Sequence, residues 1–192
     1  MRFTQAVVAS KNPDKIAEVE SVLSALGIVG EIVRGLDWSD VEETEPTLEG
    51  NALLKARAVA SATGFVSIAD DTGLEVDALG GAPGVISARY AGPEATYEEN
   101  VRKLLAELDG RTDRTARFRT VIALVDPVGR EWTAEGAIGG VIVAEPRGAY
   151  GFGYDPVFAV RGRTLGEMTA AEKSLVSHRA RALRALAELL TD

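Results

Sequence analysis

The chain has 192 residues, 46% of them hydrophobic, which suffices for one sizeable core and suits a single domain over residues 1–192. It contains no cysteine, so a disulfide framework and a thiolate metal or redox site are both excluded. Twenty-nine acidic against 21 basic residues give a formal net charge of −8, which argues against a nucleic-acid backbone as partner. Met1-Arg2-Phe3-Thr4-Gln5 leads into a strand rather than an export leader, and no apolar run is long enough to cross a bilayer. A soluble, cytoplasmic protein with no membrane partner is the expectation.

In chain order, Phe3 to Ala9 alternates loosely and reads as a first strand. Asn12 offers an N-cap, Pro13 suits the first helical position, and Ile16, Val19, Val22, Leu23 and Leu26 follow at helical spacing until Gly27. Ile28 to Val33 predicts a second strand, so the chain opens β-α-β. An acidic loop over 35–46 carries Trp38, Glu42, Glu43 and Glu45, and Thr47 caps a helix to about Ala62. Phe65 to Ala69 predicts a short buried strand that ends in a turn at Asp70-Asp71-Thr72-Gly73. Thr96 and Glu99 form a capping box for a helix ending near Leu108. Two long strands over 116–125 and 131–143 are joined by the turn Asp126-Pro127-Val128-Gly129. A second capping box, Thr169 with Glu172, precedes the terminal helix with Ala182, Leu183, Leu186 and Leu189. The pattern predicts an α/β fold with a mixed sheet, without repeats or linkers.

Five segments carry residues suited to chemistry. Asp70 and Asp71 stand side by side after an apolar strand, where two carboxylates repel unless a cation joins them. Hard oxygen ligands of this kind suit Mg²⁺, with a solvated acidic turn as the alternative. Ser10-Lys11-Asn12-Pro13-Asp14-Lys15 lies at a strand-to-helix junction, whose free N–H groups and dipole favour phosphate. It lacks the glycines of a P-loop or a Rossmann fingerprint, and an ordinary capped turn is the other reading. Asn51 and Lys55 lie four apart on one helix face, either toward a shared site with Glu43 or toward solvent. Gly151-Phe152-Gly153-Tyr154-Asp155-Pro156 combines flexible glycines, aromatics and a carboxylate, so Phe152 can stack on a base or pack as a structural turn. Lys173 and Ser177-His178-Arg179 stand at the start of the terminal helix. His178 is the one histidine, so a histidine-rich zinc site is excluded, and no nucleophile elbow accompanies it. Hydrogen bonding to a ligand or structural capping are the roles open to it.

Taken in order and spacing, these stretches resemble the Ham1-like family of inosine triphosphate pyrophosphatases, the non-canonical purine NTP pyrophosphatases. The matching segments are Ala9 to Lys15, Glu43-Thr44 with Glu49 to Ala56, Ala69 to Tyr90, Gly151 to Phe158, and Glu172-Lys173 with Ser177-His178-Arg179. The resemblance implies hydrolysis of ITP, dITP and XTP to the monophosphate and pyrophosphate, with Mg²⁺ as cofactor. It implies a homodimer with an elongated mixed sheet flanked by helices, its two lobes enclosing a cleft. By motif position, Glu43 and Asp71 would bind Mg²⁺ with Asp70 in support, and Asp71, Lys15 and Lys55 would be the catalytic groups. Ser10, Lys11, Asn12, Pro13, Asp14, Lys15 and Thr72 would hold the triphosphate. Phe152, Gly153, Tyr154, Asp155, Lys173, His178 and Arg179 would form the nucleoside pocket. Three positions depart from the family pattern: Glu45 replaces a frequent glycine, Gly50 a frequent glutamate, and Thr72 a frequent serine, which keeps the hydroxyl. A Maf-like nucleotide pyrophosphatase of other base specificity, and a non-catalytic nucleotide sensor, are the rival readings.

Overall fold

A computed structural model describes residues 3–191. Met1, Arg2 and Asp192 lie outside the described residues. The β-α-β opening is present: β1 (Phe3–Val8), α1 (Pro13–Leu26) and β2 (Val29–Ile32), with β1 and β2 parallel. The Asn12 side chain accepts from the Asp14 and Lys15 N–H groups, and Gly27 closes the helix at φ +62°. The remaining helices are α2 (Leu48–Thr63), α3 (Tyr97–Glu107), α4 (Ala170–Val176) and α5 (His178–Leu189). The remaining strands are β3 (Val66–Val76), β4 (Pro83–Gly84), β5 (Thr115–Val125), β6 (Glu131–Ile142), β7 (Phe158–Val160) and β8 (Arg163–Thr164). Strand order is β2-β1-β3-β5-β6-β7-β8 with β4 on β3, and parallel and antiparallel pairs give the expected mixed sheet.

Two expectations are corrected. The strand that was to end before Asp70 runs eleven residues, through Asp70-Asp71-Thr72-Gly73 to Val76. Leu74 and Val76 are fully buried, and their burial carries the extended backbone across a stretch whose composition favours a turn. The terminal helix is two helices. Ser177 is extended (φ −64°, ψ 149°), closes α4 and leaves His178 to begin α5.

The chain divides into two compact units, each with its own core. One holds the chain up to Asp71, Thr120–Gly136 and everything from His178 onward; the other holds Thr72–Arg119 and Ala137–Ser177. In the first, Val66 and Ile68 of β3 and Ile122 and Leu124 of β5 pack with Val19 and Leu23 of α1 and with Ala182, Leu183 and Leu186 of α5. In the second, Leu74, Val76, Leu104, Phe118, Ile138 and Leu165 pack around Phe158, whose ring lies 4.7 Å from that of Phe118. Among the described residues no helix is long and apolar enough to cross a membrane.

Candidate active site

Side chains alternate along a strand, so the extension of β3 sends the two aspartates to opposite faces. Asp70 continues the row of Val66 and Ile68, which packs with α1 and α5. There its Oδ2 accepts from Arg179 Nη2 at 3.0 Å and Nε at 3.2 Å, and Lys15 Nζ lies 3.3 Å away. Glu18, one turn beyond Lys15 on α1, takes the remaining arm of the Arg179 guanidinium. Burial alone would raise the Asp70 pKa, but Lys15 and Arg179 outweigh it and hold the carboxyl well below the usual range. Asp70, Arg179 and His178 are all buried.

Asp71 faces the other way and meets Lys55 of α2, whose Nζ lies 3.0 Å from Asp71 Oδ1 and 2.6 Å from Glu43 Oε1. Glu43 is placed by its loop. Asn51, fully buried on α2, accepts from the Glu45 N–H at 2.9 Å and donates to the Glu45 carbonyl at 3.2 Å. Asn51 therefore positions the loop rather than projecting beside Lys55. Burial, reinforced by Glu43 and opposed by Lys55, pushes the Asp71 carboxyl up to about 6. Its Oδ2 is buried with no hydrogen-bond partner among the described residues. A buried carboxylate oxygen with no donor is costly and fits a cation as its missing partner. Glu43 and Asp71 flanking one ammonium suit Mg²⁺, which uses one or two carboxylates and completes its shell with water and phosphate. Among the described residues no group of three or more acidic or histidine side chains converges as a metal cage.

The Ser10–Lys15 junction is ordered by its own side chains. Ser10 Oγ accepts from the Asn12 N–H at 3.1 Å, and Asn12 Oδ1 accepts from Asp14 N at 2.9 Å and Lys15 N at 3.3 Å. Pro13 and Asp14 form the first turn, Lys15 turns toward Asp70, and Lys11 pairs with exposed Asp40 at 2.5 Å. Two of the departures from the family pattern, Glu45 and Gly50, meet in space. A Cβ on Gly50 would lie 2.7 Å from Glu45 Cβ and 2.9 Å from its Cγ, so the Glu45 side chain fills the gap that Gly50 leaves.

The second unit builds a separate cluster. Asp155 Oδ2 accepts from Lys173 Nζ at 2.6 Å and from the Phe152 N–H at 2.9 Å, and the Lys173 ammonium sits over the Phe152 ring, 4.7 Å from its centroid. Gly151, at φ +75°, must lack a side chain, because a Cβ would lie 2.1 Å from Asp155 Oδ2. Gly153 is also left-handed, at φ +61°. The buried Tyr154 hydroxyl donates to the Ser87 carbonyl at 2.9 Å. Thr72, half-buried on β3, belongs to this unit. The ring of Tyr97, at the first position of α3, packs on Phe152 at 5.9 Å between centroids. The sequence reading passed over Glu18, Thr120 and Tyr97. Only Glu18 carried a signal, its helical spacing from Lys15.

The sequence pattern of the Ham1 family matches residues 6–189. The dITP/XTP pyrophosphatase of Chlorobaculum tepidum is 52% identical over 97% of this chain and 92% of its own length. That of Bacillus subtilis is 45% identical over 97% of this chain and 96% of its own. The solved Staphylococcus aureus Ham1 protein superposes with a TM-score of 0.85 at 38% identity, covering 98% of both chains. With the motif residues placed as described and the match spanning nearly its whole length, this chain belongs to the Ham1 family.

Proposed function

We propose that this chain hydrolyses non-canonical purine nucleoside triphosphates (ITP, dITP and XTP) to the monophosphate and pyrophosphate. The observation that carries this reading is Asp71, a buried carboxylate joined to Glu43 through Lys55 and left with one oxygen unpartnered. Membership of the Ham1 family and the activity named for relatives at 45–52% identity support the same reaction.

Glu43 and Asp71 would hold Mg²⁺, which supplies charge neutralisation on the phosphate oxygens when bound. Lys55, fixed between those two carboxylates, adds a positive charge at the same place. Asp71, whose burial raises its carboxyl in the metal-free protein, would accept the proton of the attacking water. The water oxygen would bond to the α-phosphorus as the bond from that phosphorus to the α–β bridging oxygen breaks, the water proton would pass to Asp71, and pyrophosphate would leave. Asp70 does not serve as the base. Lys15 and Arg179 keep it ionised, and its work is to fix their two cations. Phe152, Asp155 and Lys173 are assigned to base recognition through ring stacking and a held ammonium. A homodimeric state and a cytoplasmic location complete the proposal.

The test is phosphate release from ITP, XTP, dITP, GTP and ATP with Mg²⁺, with and without inorganic pyrophosphatase. Signal from ITP, dITP and XTP that requires the helper enzyme identifies pyrophosphate as product. Phosphate without the helper means terminal-phosphate cleavage, and no signal with any nucleotide refutes the hydrolase reading.

A further inference from the structure

β5 presents Thr120, Ile122 and Leu124 on one face, since alternate residues share a side. Ile122 and Leu124 pack in the core that includes Ala182, Leu183 and Leu186 of α5. Thr120 stands in that row, and its Oγ1 lies 2.6 Å from Nδ1 of His178, the first residue of α5. Both residues are buried, at 0% and 3% exposure. The backbone of that first turn is fixed independently. A Cβ on Gly136 of β6 would lie 2.3 Å from the His178 carbonyl oxygen and 2.3 Å from Ala182 N, so the strand meets the helix backbone directly. A valine at position 120 would fill the same volume. What the threonine adds is the hydroxyl.

A neutral imidazole carries one donor and one acceptor nitrogen, and the partner of one decides what the other offers. A hydroxyl that donates to Nδ1 leaves the proton on Nε2 and makes Nε2 a donor. The opposite arrangement makes Nε2 an acceptor. A donor at Nε2 matches the oxo oxygen of hypoxanthine or xanthine, whereas an acceptor matches the amino group of adenine. We propose that Thr120 is a positioning residue that donates its hydroxyl to His178 Nδ1, holds the ring in the Nε2–H tautomer, and thereby favours oxo over amino purines. The specificity half of this proposal rests on the assignment of His178 to the nucleoside pocket.

His178 is the one histidine of the chain, so its ring nitrogens are read without ambiguity in protein labelled with ¹⁵N-histidine. At neutral pH the wild type is expected to show a protonated Nε2 and an unprotonated, hydrogen-bonded Nδ1. Thr120→Ser should keep this pattern, and Thr120→Val should lose the hydrogen-bonded Nδ1 signature. The ratio of kcat/KM for XTP over ATP should fall about 3- to 10-fold in Thr120→Val, the scale of one hydrogen bond, and return in Thr120→Ser. An Nδ1–H tautomer or a doubly protonated ring in the wild type overturns the proposal, and needs no variant to be folded. So does a Thr120→Val protein with an unchanged spectrum and an unchanged ratio. A wild type that shows Nε2–H but turns over no nucleotide removes the functional reading and, with it, the role in specificity.

Discussion

Asp70 and Asp71 are neighbours in sequence, yet their carboxyls titrate in opposite directions. Asp70 is held far below the usual range by Lys15 and Arg179 despite its burial, while burial pushes Asp71 up to about 6. The strand pleat produces this split, because it hands each carboxylate to a different set of cations. Both residues are buried, so burial alone does not separate them; Asp70 has two cations within 3.3 Å, whereas Asp71 has one at 3.0 Å and the like charge of Glu43 beside it.

Substitution should therefore separate stability from turnover. Asp70→Asn leaves Arg179 and Lys15 without the charge that balances them inside the protein, and is expected to cost about 3–5 kcal/mol in urea unfolding. Asp71→Asn should not destabilise the metal-free protein, and should abolish turnover while nucleotide binding survives. An active Asp71→Asn protein would remove Asp71 from the mechanism. An Asp70→Asn protein as stable as wild type would show that the Arg179 network carries no net energy.

The raised Asp71 pKa gives a signed pH prediction for the metal-free protein. A folded-state pKa above the ordinary value of 3.8 means that the fold favours the protonated form. Asp71 therefore costs no stability below about pH 4. It takes stability away as pH rises through about 6. Relative to wild type, metal-free Asp71→Asn should gain stability between pH 4 and 7, and the difference should level off above that. A carbon-13 titration of the Asp71 carboxyl should place its midpoint near 6. Added Mg²⁺ should move that midpoint down, since the ion and the proton compete for the same oxygens. A midpoint near 4 without metal would contradict the arrangement around Lys55.

Much of this architecture was legible in the sequence, for local reasons. Asn12-Pro13 and Gly27 bracket α1 through cap chemistry, and Asp126 seeds the hairpin by accepting from the Val128 and Arg130 N–H groups. What was not legible depends on tertiary packing. Asp70-Asp71-Thr72-Gly73 reads as a turn, and only the burial of Leu74 and Val76 keeps it extended. The two-residue strands β4 and β8 are too short to show a period. In the site, the residue types at Lys15, Lys55, Asp70 and Asp71 were readable, but which lysine serves which aspartate follows only once β3 is known to be continuous. Thr120 gave no signal, because a threonine in a β-branched run is an ordinary strand residue.

Glu45 and Gly50 should behave as one unit. A methyl at position 50 alone meets the Glu45 Cβ and Cγ at under 3 Å, so Gly50→Ala is expected to destabilise by about 1–3 kcal/mol. Glu45→Gly clears that space. The double substitution should then recover most of the loss, with a coupling of about 0.5–3 kcal/mol in a double-mutant cycle. Additive single effects would mean that the loop shifts away from the helix at no cost. In that case Asn51, whose amide holds the Glu45 backbone on both sides, would not fix the loop as its two hydrogen bonds suggest.

Asp155 organises the second unit's cluster in a way that its variants should expose. Its Oδ2 receives both the Lys173 ammonium and the Phe152 N–H, and it fills the space beside Gly151. Asp155→Ala strands a buried ammonium and should cost about 3–5 kcal/mol. Lys173→Met removes that charge while keeping a long side chain, so the double variant should be more stable than Asp155→Ala alone. Gly151→Ala acts from the other side, forcing a side chain onto a left-handed residue and into the carboxylate. It should raise KM for XTP by displacing Phe152, while leaving binding of inorganic triphosphate, which has no base to stack, close to wild type. Equal losses for XTP and triphosphate would place the Phe152 loop outside base recognition, whatever its part in stability.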